Sequence, residues 1–205
     1  TEQQRAELTA ILDRAAALHL NAVIFQVRPA GDAVYPSTLE PWSAFLTGRM
    51  GKAPDPLWDP LAFAVQAAHA RGLQLHAWFN PFRARYPGDG GPVARSHVSR
   101  RDPASVRQYG RYLWADPGSA RARQHAIRVI LDVVKRYDID GVHIDDTFYP
   151  YPVTAKGKEV PFPDAATYRA YRAGGGTLDR AAWRRHNIDT FVEQLYAAVK
   201  REKRW

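Results

Sequence analysis

Three short apolar segments alternate with amphipathic helical segments along this chain, and that alternation restricts the fold more than any other feature. The segments are N-A-V-I-F-Q-V-R-P from Asn21, L-Q-L-H-A-W-F-N-P from Leu73 and G-V-H-I-D from Gly141. Each has the length and the β-branched and aromatic content of a strand. A helix precedes the first: T-E-Q-Q is a capping box, and Leu8, Ile11, Leu12, Ala15 and Leu18 recur at helical spacing. Asp59-Pro60 predicts a second helix start, with Leu61, Ala64, Val65 and Ala68 inward and Gly72 as its stop. Asp116-Pro117 predicts a third start, with Ile127, Ile130, Leu131, Val134 and Tyr137 inward. A short helix from Asp164 is broken by Gly174-Gly175-Gly176. A last helix begins near Asp179, with Trp183, Ile188, Phe191, Val192, Leu195 and Val199 inward. Alternation of this kind predicts an α/β fold: a parallel sheet with helices outside it. Helix-to-strand connections are short and strand-to-helix connections long, so the working face is expected at the carboxyl ends of the strands.

Fully buried parallel strands read as nearly continuous apolar runs. These three do not. Val23, Phe25 and Val27 oppose Ile24, Gln26 and Arg28. Leu73, Leu75, Ala77 and Phe79 oppose Gln74, His76, Trp78 and Asn80. Val142 and Ile144 oppose His143 and Asp145. One face of each strand suits packing under helices, and the other turns polar toward the carboxyl end. A doubly wound sheet, covered on both faces, offers no reason for this. A closed barrel does, because helices cover only its outside and inward side chains near the top line a pocket. Arg28, His76, Trp78, Asn80, His143 and Asp145 are therefore expected at one mouth; satisfied polar core groups are the plain alternative. A complete eight-stranded barrel takes about 250 residues, and this chain has 205 with three recognisable strands. The expectation is a single domain, residues 1–205, holding part of a (β/α)8 TIM barrel, with a first strand and later strands missing.

Aspartate at a strand end can act as nucleophile or as general acid/base. Asp145 is the leading candidate and Asp146 the next. Aromatic residues crowd the long loops, among them Tyr35, Trp42, Trp58, Phe82, Tyr86, Trp114, Phe148, Tyr149 and Tyr151. Flat rings suit sugars, although many such rings simply pack loops. A carboxylate with aromatic platforms on a barrel suggests glycoside hydrolysis, which normally uses two carboxylates. For the second, Asp146, Asp32 and Asp116 are the candidates. A metal-dependent barrel hydrolase using His76, His143, Asp145 and Asp146 is the rival, though neither H-x-H nor H-E-x-x-H occurs. A non-catalytic carbohydrate-binding barrel is the third reading. No P-loop, no G-x-G-x-x-G after a strand and no G-x-S-x-G elbow are present, so no cofactor is implied.

The chain has no cysteine, which removes disulfides, thiolate metal sites and cysteine nucleophiles. Its net charge of +8 favours an anionic partner. Nucleic-acid binding would rest on charge alone. The run Lys200-Arg201-Glu202-Lys203-Arg204 suits the end of a solvated helix. No apolar run approaches the roughly 20 residues needed to span a membrane.

Five stretches carry a family resemblance: N-A-V-I-F-Q-V-R-P-A-G-D-A-V-Y-P-S, L-H-A-W-F-N-P-F-R, W-A-D-P-G, Y-D-I-D-G-V-H-I-D-D-T-F-Y-P-Y-P and W-R-R-H-N-I-D-T-F-V. In this order they resemble the glycosyl-hydrolase-like family 10 domain over nearly the whole chain. That resemblance implies a TIM barrel in bacterial envelope or exported proteins, acting on peptidoglycan glycan strands stripped of their peptides. G-V-H-I-D also resembles the G-x-R-x-D segment of the α-amylase superfamily, whose aspartate is a nucleophile; it maps onto Asp145, with His143 in place of arginine. The expected function is a glycoside hydrolase on cell-wall polysaccharide. Asp145 and Asp146 are its catalytic candidates. Arg28, Asp32, Tyr35, His76, Trp78, Asn80, His143 and Tyr149 are its substrate-binding candidates. The expected partner is an anionic polysaccharide, with the oligomeric state open.

Overall fold

A computed structural model of the chain describes residues 1–87 and 91–203. Helix α1 (Glu2–Ala17) opens as the capping box dictates: Thr1 accepts from the Gln4 backbone N–H and the Gln4 side chain answers. Strand β1 (Ala22–Arg28) follows. The next connection holds a single turn, α2 (Ala44–Thr47), and a bridge between Ala33 and Trp42. Helix α3 (Pro60–His69) starts where Asp59 accepts from the Leu61 and Ala62 amides. Strand β2 (Gln74–Phe79) pairs in parallel with β1 on one side. On its other side it pairs in parallel with β6 (Gly141–Ile144). The order β1-β2-β6 is that of three successive strand–helix units.

The apolar face predicted for β1 and β2 is the more covered one, whereas β6 is half-buried on both faces, with Val142 and Ile144 packed against the core. Val27, Leu75, Ala77 and Phe79 are fully buried, with Leu61, Ala64 and Ala68 of α3 in the same cluster. Ile130, Val133 and Val134 of α5 (Ala120–Arg136) complete this layer. Each valine, leucine, isoleucine or phenylalanine among them contributes on the order of 1.5–3 kcal/mol of burial, and each alanine less. The opposite face is open: Ile24 is 54% exposed and Gln74 is exposed.

The alternation holds except at one point. The register shifts between Gln26 and Arg28, so Gln26 stands level with Trp78 but Arg28 with Phe79. Arg28 thereby leaves the inner set, where strict alternation placed it, and turns toward the helix side. A bulge is invisible to parity because it changes the count by one residue.

Asp116-Pro117 does not open α5. Ser119 caps that helix, and Asp116 accepts from the Gly118 amide one turn earlier. Ile11, Leu18 and Val192, expected inward, are 63%, 61% and 44% exposed. The connection after β2 contains an unpredicted three-stranded antiparallel sheet, β3 (Arg83–Arg85), β4 (Val106–Tyr109) and β5 (Tyr112–Ala115), in the order β3-β5-β4. One turn, α4 (Val98–Arg101), lies within it. After β6 come the hairpin β7 (Val153–Ala155) and β8 (Lys158–Val160), then α6 (Ala165–Ala173) and α7 (Arg180–Glu202). Lys200 and Arg201 form the basic last turn of α7; Arg204 lies outside the described residues. Among the described residues no helix is long and apolar enough to cross a membrane.

Candidate active site at the strand ends

Asp145 follows β6 directly and is partly buried. Its Oδ1 accepts from the Thr147 backbone N–H at 3.2 Å and from the Thr147 hydroxyl at 2.5 Å. The chain makes this turn because an aspartate can bond its own backbone two residues on. The Thr147 hydroxyl also lies 3.3 Å from Asn80 Oδ1. It has one proton, and the shorter contact takes it. Asn80 is fully buried at the end of β2 and donates from Nδ2 to the Pro29 carbonyl at 3.3 Å. The ends of β1, β2 and β6 are thus stitched together beneath one carboxylate. Among the described residues Asp145 Oδ2 accepts no hydrogen bond.

Asp146, the next residue, lies in the loop that follows β6. It is exposed, and its Oδ2 accepts from the Tyr151 hydroxyl at 2.6 Å. That carboxylate raises the Tyr151 pKa. Asp140, the first aspartate of the segment, closes the opposite end of the strand. Its Oδ2 accepts from the Leu75 amide and contacts His69 Nε2, both at 2.8 Å. Burial works against its charge, and these partners outweigh burial, holding its pKa below the ordinary value. The three aspartates serve a turn, a strand end and a loop.

Immediately below the strand ends, Trp78 and His143 share a level and meet edge to face, centroids 6.0 Å apart. The Trp78 indole Nε1 is buried without a protein partner among the described residues. His76 lies one level deeper, beside Gly141, with Nε2 3.3 Å from Gln74 Oε1. A Cβ on Gly141 would sit 2.8 Å from the His76 ring, so glycine there is a steric requirement.

Arg28 is brought to the site's underside rather than to its surface. Its Nε donates to Glu40 Oε2 at 2.8 Å, one Nη bonds the other Glu40 oxygen, and the second Nη bonds the Asn80 carbonyl. His125 of α5 adds a contact to Glu40 at 2.8 Å. Burial alone would raise the Glu40 pKa; Arg28 and His125 overcome it and hold the group at about 2. Asp32 accepts from the Ala30 amide at 2.9 Å and is 1% exposed. Burial, with Glu40 nearby, pushes its pKa up to about 6. Tyr35 is a correction: it lies in the core, edge-on to Tyr137 at 5.7 Å, not at the mouth. The loop returns there because the Val34 amide bonds the Val27 carbonyl.

Tyr149 stands on the loop wall. Asn187 donates to its hydroxyl at 3.2 Å, and the Arg184 guanidinium lies 5.5 Å from its ring. Asp116, a candidate second carboxylate, is fully buried, with Gly118, Thr167 and Arg107 on its two oxygens. Burial raises its pKa. The Trp114 indole donates to the Phe148 carbonyl at 2.9 Å, tying the small antiparallel sheet to the loop after β6. Among the described residues no three metal-ligating side chains converge. Sequence reasoning missed Thr147, Glu40 and His125. Asp145-Asp146-Thr147 carried a readable turn signal. Glu40 and His125 are 85 positions apart and carried none.

A family model described as glycosyl hydrolase-like 10 matches residues 1–204. The glycosyl hydrolase YngK of Bacillus subtilis is 42% identical over 204 residues, covering 98% of this chain and 38% of its own. The glycosyl hydrolase DigH of Escherichia coli K12 is 35% identical over 198 residues, covering 92% and 43%. The chain thus spans less than half the length of these relatives. Among solved structures, α-L-fucosidase isoenzyme 2 from Paenibacillus thiaminolyticus superposes with a TM-score of 0.61 at 13% identity, covering 95% of this chain and 27% of that one. A hypothetical protein from Ruminiclostridium thermocellum gives 0.57 at 15% identity, covering 91% and 85%. At such identities the likeness concerns the fold: the three strand–helix units are part of a (β/α) barrel.

Proposed function

The chain belongs to the glycosyl hydrolase-like 10 family, and on that footing we propose that it carries the catalytic face of a glycoside hydrolase acting on acidic bacterial cell-wall polysaccharide, specifically peptide-free peptidoglycan glycan. The observation that supports this most is Asp145: a carboxylate at a barrel strand end, with one oxygen held by Thr147 and the other unengaged among the described residues. An oxocarbenium-like transition state needs such a preorganised negative charge beneath the sugar ring. Asp145 acts as nucleophile or charge stabiliser. Asp146, hydrogen-bonded to Tyr151, acts as acid/base. Trp78 and His143 form the floor, and Tyr149 the wall. The net charge of +8 suits a glycan whose carboxylates are exposed. That substrate places the protein in the envelope or outside the cell.

The test is hydrolysis of peptide-free glycan by the full-length protein and its Asp145→Asn variant. The isosteric amide keeps the Thr147 contact through its oxygen and removes the charge. The expected loss in kcat is on the order of 10⁴-fold, with glycan binding retained. Full activity in the variant would sink the assignment.

A further inference from the structure

Two hollows flank the N-terminal half of α5, and Arg121 lines both. The first, of about 380 Å³, is bordered by Arg101, Arg121, Arg128 and His125, with Asp102 as the only acidic group among the described residues on its wall. Asp102 is already engaged by Arg121 at 3.2 Å and by the Ser105 hydroxyl at 2.6 Å. The side chains of Arg101 and Arg128 have no partner among the described residues. The second hollow, of about 440 Å³, has Arg121, Arg123 and His186 on its wall and, among the described residues, no acidic side chain. Its other walls are the aromatic rings of Tyr171 and Trp183 and the amide of Asn187. The backbone of Gly118, Ser119 and Ala120 opens α5 at its edge.

We propose that these two hollows form a secondary binding track for a carboxylate-bearing glycan strand, running along the outer rim from the loop wall at Tyr149 across Arg121 to Arg128. Three observations choose this occupant. Guanidinium groups sit on both sides of a shared arginine, which suits a charge repeated along a polymer better than a single small anion. Neutral hydrogen-bonding groups and an aromatic surface lie between them, as sugar hydroxyls and ring faces require. Asn187 borders the second hollow and donates to the Tyr149 hydroxyl, so the track reaches the loop that follows β6. The identity of the polymer rests on the reading given under the proposed function; the track itself is judged by binding alone.

The experiment measures binding of full-length Asp145→Asn protein to three probes: peptide-free peptidoglycan glycan, a neutral chitin oligosaccharide and polyphosphate. The same probes are then offered to that protein carrying Arg121→Gln and Arg128→Gln. Both arginines are surface groups, and circular dichroism checks the fold. The expected result is that the double arginine substitution weakens glycan binding by about tenfold or more. Binding falls with added salt, and the neutral probe is unaffected. In an otherwise natural background, hydrolysis of long strands falls while that of short soluble fragments is unchanged. Equal glycan affinity with and without the arginines overturns the proposal. So does polyphosphate binding as tightly as the glycan, because the track would then be an unspecific cationic patch. If Asp145→Asn stays fully active, the catalytic reading fails, and the arginine comparison still decides the track.

Discussion

Thr147 is the residue on which the placement of Asp145 turns. It is nearly buried and gives the carboxylate both an amide and a hydroxyl proton. Thr147→Val keeps the shape and removes the hydroxyl. On the proposed role of Asp145, kcat of the full-length protein should fall by about 10- to 100-fold, because a small displacement of a reacting group is enough. KM should change little; a rise in KM with unchanged kcat would mean that Thr147 binds substrate instead. The buried Arg28–Glu40 pair makes a separate prediction, about stability. The Glu40 pKa is lowered from 4.5 to about 2, so its stabilising charge is fully present above pH 4.5 and is lost as pH falls toward 2. The lost stabilisation is about 3 kcal/mol. Glu40→Gln should therefore destabilise by about 3–5 kcal/mol at neutral pH, since Arg28 is left buried and uncompensated. The difference should shrink below pH 4.5 in thermal melts, and a pH-independent difference would exclude a charged Glu40. Asp32 works in the opposite sense. Its pKa is raised to about 6, so ionising it opposes folding as pH climbs from the ordinary carboxylate range through 6. Asp145 could be read from the chain because strand parity and chain position coincide there. Glu40 could not, because its partners come from other elements.

At the scale of elements, Gly141 has the narrowest tolerance. β6 begins there, and the His76 ring of β2 lies against its backbone. Gly141→Ala should displace His76 or part the two strands at that level, at a penalty of about 1–3 kcal/mol. A drop in melting temperature together with altered His76 imidazole NMR shifts would show it; an unchanged spectrum would refute the close approach. The long helices and the strands β1 and β2 were legible because their periods of 3.6 and 2 run long enough to be seen, and β6, only four residues long, because it follows the long helix α5. Two kinds of element were not. The strands β3, β4 and β5 are three or four residues long, too short to display a period. The register shift before Arg28 is a single residue, and it reversed that side chain's direction. Asp116-Pro117 misled for a third reason: an aspartate that caps a turn looks locally like one that caps a helix.

In the whole molecule, β2 is paired on both sides while the β7–β8 hairpin projects with mostly exposed residues. Amide exchange in the intact protein should be slowest in Leu75–Phe79 and fast in Val153–Val160; equal protection in the two would contradict this layering. The division of labour between the ends of the strands follows from the same plan. Short connections with Asp140 as a clasp occupy one end, and long loops carrying Asp145, Tyr149 and Trp114 the other. Of those loop features, the bond from the Trp114 indole to the Phe148 carbonyl has a kinetic meaning. It joins the loop after β2 to the loop after β6 before any ligand arrives. Their ordering entropy is then lost during folding and not again at each encounter. A chain so tied meets its ligand as a standing cleft, and association at this wall should follow a single exponential without a slow closing phase.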